Sequence, residues 1–195
     1  MNMHTERQQE IIGNALDLIN EKGIQGLTIK NLANRLGITE PAIYRHFENK
    51  IQILVAILDL LKKNTSGTFV NEISRDFTAP NKIAFIFEKH FQSFVKMPSL
   101  ASVVFSEEIF RNEELLTGKI SEVIEQNNRD LLMILKEGQQ KGEIRNDVDA
   151  SHLVIFIMGA LRLFVKKWQY SGFSFNLESE GRKLIKSVIL MISNA

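Results

Sequence analysis

The chain has 195 residues, of which 44% are hydrophobic, and a formal net charge of +1. It can therefore bury a core as one or two small domains, and without cysteine it has neither a disulfide framework nor a thiolate metal site. Its polar, mixed-charge start is unlike a secretory signal, and its longest apolar run, 153–161, is shorter than the roughly 20 residues that span a membrane. We expect a cytoplasmic protein with no membrane segment.

With only three prolines and a helical periodicity of apolar residues nearly throughout, the chain is predicted to be all-α. Residues 69–77 are compatible with a further helix beyond the main ones. The main predicted helices run from Thr5 to Lys22, Thr28 to Leu36, Thr39 to Phe47, Asn49 or Lys50 to about Lys62, Pro80 to Met97, Leu100 to about Arg111, Glu113 to Lys141, Asp147 or Asp149 to about Tyr170, and Leu177 or Ser179 to Ile192.

The second and third predicted helices are short and meet at a tight turn. Thr28 is placed to cap the first of them, and Thr39 is placed to cap the second. Gly37 between them can adopt the positive φ that favours a helix C-terminus. Two helices joined by a short Gly-containing turn predict a helix-turn-helix, whose second helix lies in the major groove of DNA.

The residues of this motif carry a resemblance. The segments TIKNLA (28–33), LGIT (36–39) and AIYRHF (42–47), followed by Lys50, resemble the N-terminal signature of the TetR family of transcriptional regulators over about residues 5–60. The resemblance implies a three-helix DNA-binding domain at 1–48 and a helical ligand-binding and dimerisation domain at 49–195. It further implies a homodimer that binds a near-palindromic operator, most simply as a repressor, and is released by a small hydrophobic ligand.

The same resemblance implies roles for particular residues. Positions that contact phosphates are Thr28, Thr39, Tyr44, His46 and Lys50, and positions that face bases are Thr39, Glu40, Pro41 and Arg45. Arg45 could pair with guanine and Glu40 could accept from cytosine, although the helix dipole alone explains an acid in the first turn. Pro41 either contacts a thymine methyl or only starts the helix, and the Tyr44 ring either contacts DNA or only anchors the helix.

Basic residues are balanced by acids over residues 1–50, so the predicted phosphate footprint of one subunit is small. The local basic cluster around the motif consists of Lys30, Arg35, Arg45, His46 and Lys50. Useful affinity is therefore expected to require two subunits.

The middle of the chain is rich in aromatic residues, which fits either a pocket for a flat or hydrophobic effector of unknown identity or an ordinary core. The predicted pocket residues are Phe87, His90, Phe91, Phe94, Phe105, Phe110, Met133, Phe156, Arg162 and Trp168. Further polar candidates for setting ligand identity are Glu107 and Arg111.

The last two helices, at about 150–170 and 178–193, are apolar over more than one face. A helix that is apolar on most sides must be buried, and a second copy of the chain supplies the cover in an intersubunit four-helix bundle. The alternative is that both helices are buried within one subunit.

An enzymatic function finds little support, because the sequence has no paired Glu-x-x-His motifs, phosphate-binding glycine loop, nucleophile elbow or zinc-spaced histidines. We expect no catalytic activity, no cofactor and no metal. The rival function is a helical protein-binding scaffold whose helix-turn-helix does not bind DNA sequence-specifically.

Overall fold

The computed structural model describes residues 4–65, 72–74, 76–106, 110 and 113–194, with residues 63–65 described by their backbone alone. The described part of the chain is helical and confirms the all-α prediction. The helices are α1 (Glu6–Gly26), α2 (Ile29–Leu36), α3 (Glu40–Tyr44), α4 (Lys50–Thr65), α5 (Ala79–Lys96), α6 (Pro98–Val104), α7 (Glu114–Gln140), α8 (Ala150–Tyr170) and α9 (Leu177–Ile192). Among these described helices, none is long and apolar enough to cross a bilayer.

The helices form two compact units. The first comprises the described parts of Met1–Lys62 and Met97–Ser121, and the second those of Lys63–Lys96 and Glu122–Ala195. The first unit contains the whole helix-turn-helix, so the predicted DNA-binding domain at 1–48 falls inside it. The predicted boundary at residue 48, between a DNA-binding domain and a ligand-binding and dimerisation domain, stays a prediction.

In the first unit, α1 packs against α2 and α6. The predicted capping box is confirmed: Thr5 Oγ1 accepts from the Gln8 amide at 3.2 Å, and the Thr5 amide donates to Gln8 Oε1 at 3.0 Å. The predicted break at Gly23 is confirmed, because Gly23 (φ 68°, ψ 180°) is not helical, but a further short helical turn continues to Gly26. The extra turn brings Leu27 into the core, where it is buried.

In the second unit, α5 and α9 make the most extensive contact. The ring of Phe91 on α5 lies directly over Gly181 on α9, so closely that a Cβ at 181 would come within 2.4 Å of the ring. The helix α5 starts at Ala79, one residue before the predicted Pro80, and the Ala79 amide donates to Glu143 Oε2 at 2.6 Å. The Phe91 ring can pack against the backbone of α9 only because residue 181 has no side chain.

Two helix starts that the sequence left open are decided by side-chain bonds. Asp149 caps α8 by accepting from the Ser151 amide at 2.7 Å, whereas Asp147 is engaged with Arg145 at 2.6 Å. Asn176 caps α9, so this helix starts at Leu177.

The predicted helix from Leu100 to Arg111 is wrong at its start and in its extent. The helix α6 begins at Pro98, because proline suits the first turn of a helix, and ends at Val104. Of the residues in this prediction, 107–109 and 111 lie outside the described residues. Residues 69–71 and 75 of the possible helix at 69–77 also lie outside them, and of its described residues only Glu72 is helical.

Candidate DNA-binding site

The turn between α2 and α3 has the predicted geometry. Thr28 Oγ1 accepts from the Asn31 amide at 3.1 Å and fixes the start of α2. Gly37 lies in the left-handed region at φ 65°, ψ 31°, and the Ile38 amide donates back to Ala33 O at 3.1 Å. A side chain at residue 37 would strain this conformation, so the glycine sets the path of the chain into α3.

The helix α3 is shorter than predicted. It ends at Tyr44, and residues 45–47 form a tightened last turn in which the His46 and Phe47 amides both donate to Ile43 O at 2.9 and 3.0 Å. Thr39 occupies the N-cap position, but in the described structure its hydroxyl makes no capping bond. The predicted N-cap position is therefore confirmed, without a side-chain hydrogen bond.

The predicted DNA-contacting side chains are all on the surface of the first unit. Thr28, Thr39, Glu40, Pro41, Tyr44 and Arg45 are exposed, and His46 and Lys50 are half-buried. Tyr44 has 49% of its surface accessible, although Ile43 beside it is fully buried. A ring serving only as an anchor would be buried like Ile43, so the surface position of Tyr44 favours a role in contact.

Arg35, a member of the predicted basic cluster, pairs with two acids of α1. Its Nη1 lies 2.7 Å from Glu21 Oε2 and its Nη2 lies 3.5 Å from Asp17 Oδ2, so it joins α2 to α1. The hydrogen bond from Arg35 lowers the pKa of Glu21 below its usual range. The predicted basic cluster therefore loses Arg35 to an ion pair within the unit.

Gln8 is a positioning residue that the sequence did not reveal. Its Nε2 donates to His46 O at 3.2 Å and ties the first turn of α1 to the segment that follows α3. The sequence indicated Gln8 only as a local capping partner. A contact across 38 positions leaves no periodic signal.

The predicted ligand residues divide between the two units. In the first unit, Phe105 and Phe110 are half-buried. In the second, five are buried and three lie at the surface of the single chain: Phe87, His90, Phe91, Phe94 and Trp168 are buried, and Met133, Phe156 and Arg162 are exposed. Glu107 and Arg111 lie outside the described residues.

The buried aromatics of the second unit form an aromatic cluster together with the half-buried Phe164 and the exposed Phe173. Ring centroids are 6.0 Å apart for Phe87 and Phe91, 6.0 Å for Phe91 and Phe164, and 4.6 Å for Trp168 and Phe173. His90 stacks on Phe94 at 6.4 Å, and burial lowers the pKa of His90 to about 4, so the ring is neutral at pH 7. The cluster offers an apolar, aromatic environment with one neutral polar ring.

Among the described residues, no group of three or more histidine, aspartate or glutamate side chains could hold a metal ion. A surface helix-turn-helix with polar and basic side chains on its second helix is instead the arrangement that reads a duplex. The fold and the site together define a helix-turn-helix DNA-binding protein.

Comparison with known proteins supports this assignment to the helix-turn-helix DNA-binding proteins. Residues 11–57 match the model of "Bacterial regulatory proteins, tetR family", and residues 62–192 match that of "YsiA-like protein, C-terminal region". The chain belongs to the TetR family of bacterial regulatory proteins. It is a ligand-responsive DNA-binding transcriptional regulator, and like its family it binds operator DNA as a dimer and responds to a small-molecule effector.

Three comparisons, one of sequence and two of structure, illustrate the similarity. The chain is 26% identical over 198 residues to the fatty acid metabolism regulator protein of Bacillus subtilis, covering 100% of both chains. The structure of the regulator FadR from Bacillus subtilis in complex with stearoyl-CoA matches with a TM-score of 0.79 at 25% identity, covering 93% of this chain and 97% of that one. FadR from Bacillus halodurans shares the fold, with a TM-score of 0.84 at 21% identity and coverage of 96% and 97%.

Proposed function

We propose that the chain is a repressor whose homodimer reads a near-palindromic operator through the surface of α3 and is released by a hydrophobic effector. The observation that carries the proposal is the exposed helix-turn-helix, in which Gly37 and Ile43 fix α3 while its outer side chains stay at the surface. Two such helices about 34 Å apart would enter successive major grooves.

The proposed contacts divide into two classes. Arg45, Glu40 and Pro41 face bases, and Thr39 contributes to both classes. The phosphate contacts come from Thr28, Tyr44, His46 and Lys50. In this division base contacts set sequence preference and phosphate contacts set register and the dependence on salt.

The proposed dimer interface is formed by α8 and α9. Both helices keep large apolar side chains exposed in the single chain, including Ile155 and Leu163 on α8 and Leu190 on α9. Their other faces are buried within the second unit, through residues such as Ile157 and Val188. A second copy that covers the exposed faces would complete a four-helix bundle.

The proposed effector binds in the second unit at the aromatic cluster of α5 and α8. A related regulator of similar fold is described with stearoyl-CoA, so a long-chain acyl-CoA is the first effector to try. The neutral His90 among Phe87, Phe91 and Phe94 gives such an apolar site one polar group. DNA and effector would then weaken each other's binding by the same coupling free energy, typically about 1–3 kcal/mol. The proposal assigns the chain no catalytic activity.

The test is a titration of the full-length dimer with a fluorescent operator duplex, with and without stearoyl-CoA. Free CoA and an unrelated duplex serve as controls. We expect sequence-selective binding that weakens with rising salt, with a log–log slope of about −0.9 for each phosphate contacted. Stearoyl-CoA should release the operator, whereas CoA alone should not. Binding without sequence preference or salt dependence would favour a protein-binding scaffold instead.

A further inference from the structure

The exposed face of α8 has the spacing of a coiled-coil seam. Its positions alternate by four and three residues, the pattern that keeps one narrow stripe of a helix against a partner helix. All but Lys166, which is half-buried, are exposed in the single chain. The seam residues are His152, Phe156, Gly159, Leu163, Lys166 and Tyr170.

The N-terminal half of the seam has recesses, and its C-terminal half has projecting side chains. Leu163 and Tyr170 project furthest, with 72% and 81% of their surfaces accessible. Gly159 is a recess, since no described heavy atom lies within 4 Å of the place where its Cβ would be. The second recess is a groove of about 910 Å³ lined by residues that include His152 and Phe156.

We propose that α8 pairs antiparallel with α8 of the partner subunit, with the two-fold axis passing between the two seams at the height of Leu161 along the helix. Residues equally distant from Leu161 then face each other, so Leu163 enters the recess at the partner's Gly159. Tyr170 enters the groove at the partner's His152. This inference rests on the proposed dimer interface and adds its direction and register.

Each pair of facing seam positions forms one layer of the interface. The third layer of this register is also complementary. Lys166 lies opposite the partner's Phe156, and its aliphatic stem can cover that exposed ring while the ammonium group remains in water. The polar residues at the rim of the groove, among them Asn146 and Asn194, can bond the phenol hydroxyl of an inserted tyrosine.

Other arrangements match poorly. A parallel pairing would place Gly159 opposite the partner's Gly159, which leaves a void, and Lys166 opposite the partner's Lys166, which places like charges together. Shifting the antiparallel register by one heptad puts Tyr170 either opposite the partner's Gly159 or opposite a residue that precedes α8. Only the register centred on Leu161 pairs all six seam positions, with a projection facing a recess in two layers out of three.

The lack of cysteine in the native sequence allows a direct test. In the double variant His152→Cys/Tyr170→Cys the two positions are about 27 Å apart along one helix, so a disulfide within one chain is impossible. Mild oxidation should convert most of the protein to a covalent dimer on a denaturing gel, whereas each single variant should stay uncrosslinked. Efficient crosslinking of Gly159→Cys/Tyr170→Cys instead would show the shifted register and overturn the proposal.

A matched pair of glycine variants gives an independent measurement. Gly118 on α7 and Gly159 are both exposed glycines inside helices with open space at the Cβ position, so alanine brings the same gain in helix propensity at each. We expect Gly159→Ala to weaken dimerisation at least tenfold in sedimentation equilibrium, and Gly118→Ala to leave it unchanged.

An equal response of the two glycine variants would overturn the proposed register. If the wild-type chain is dimeric but neither double-cysteine variant crosslinks, the register is also overturned, while the dimer itself stands. A wild-type chain that is monomeric at micromolar concentration would contradict the dimer interface itself and therefore the proposed function.

Discussion

The guanidinium of Arg35 donates to the carboxylate of Glu21 across 2.7 Å and thereby holds α2 against α1. If this ion pair positions the helix-turn-helix, then Arg35→Ala and Glu21→Gln should weaken operator binding in the same direction. Neither variant should change the salt slope, because no phosphate contact is lost. The measurement is operator affinity between 50 and 200 mM salt, with Glu10→Gln on the same helix as the control.

An increase in operator affinity would lead to a different conclusion. If Arg35 contacts a phosphate, releasing it from Glu21 should strengthen operator binding, and Arg35→Ala should reduce the salt slope by about one phosphate. A tighter complex for Glu21→Gln would therefore contradict the positioning role.

Alanine substitutions of Arg45 and Lys50 should affect DNA binding in different ways. We expect Arg45→Ala to cost about 1–3 kcal/mol on the operator and to relax discrimination at one base pair, because a bidentate contact to a base edge is lost. Lys50→Ala should weaken all duplexes alike and reduce the salt slope by about one phosphate. Affinities for an operator and for its single-base variants measure both effects. An equal loss of base-pair discrimination in Arg45→Ala and Lys50→Ala would contradict the assigned roles.

Phe91 and Gly181 should show size compensation. Gly181→Ala places a Cβ within 2.4 Å of the Phe91 ring and should lower the free energy of unfolding by about 1–3 kcal/mol, the usual cost of overpacking. Phe91→Leu should recover part of this loss in the double variant. Urea unfolding of the four proteins completes the cycle, and additive losses would show that the two residues do not share the contact.

His90 should make stability depend on pH in the acid range. Its folded pKa of about 4 lies below its ordinary 6.5, so the unfolded chain binds a proton first as the pH falls. Stability should therefore be constant above about 6.5 and decrease towards pH 4, by at most about 3 kcal/mol. Unfolding of the wild type and of His90→Gln at pH 7.5 and 5 isolates this contribution, since the carboxylates titrate in both. A difference between the two proteins that is the same at both pH values would contradict it.

The sequence by itself determined the elements whose signals are local. The Thr5–Gln8 capping box, the Thr28 cap and the positive φ of Gly37 each depend on residues no more than a few positions apart. They could therefore be predicted together with the helices they start or end. The same local pattern carried the resemblance to the family and placed the eight proposed DNA contacts on one short segment.

Only the tertiary structure decided which of these side chains are at the surface and which are engaged elsewhere. Arg35 reads as part of a basic cluster, yet it is held by Glu21, fourteen positions away, and Gln8 bonds to His46 across 38 positions. Likewise the apolar pattern of α8 could not separate the buried Leu161 from the exposed Leu163. Such contacts depend on how helices pack in space, and packing between distant segments leaves no periodicity in the order of residues.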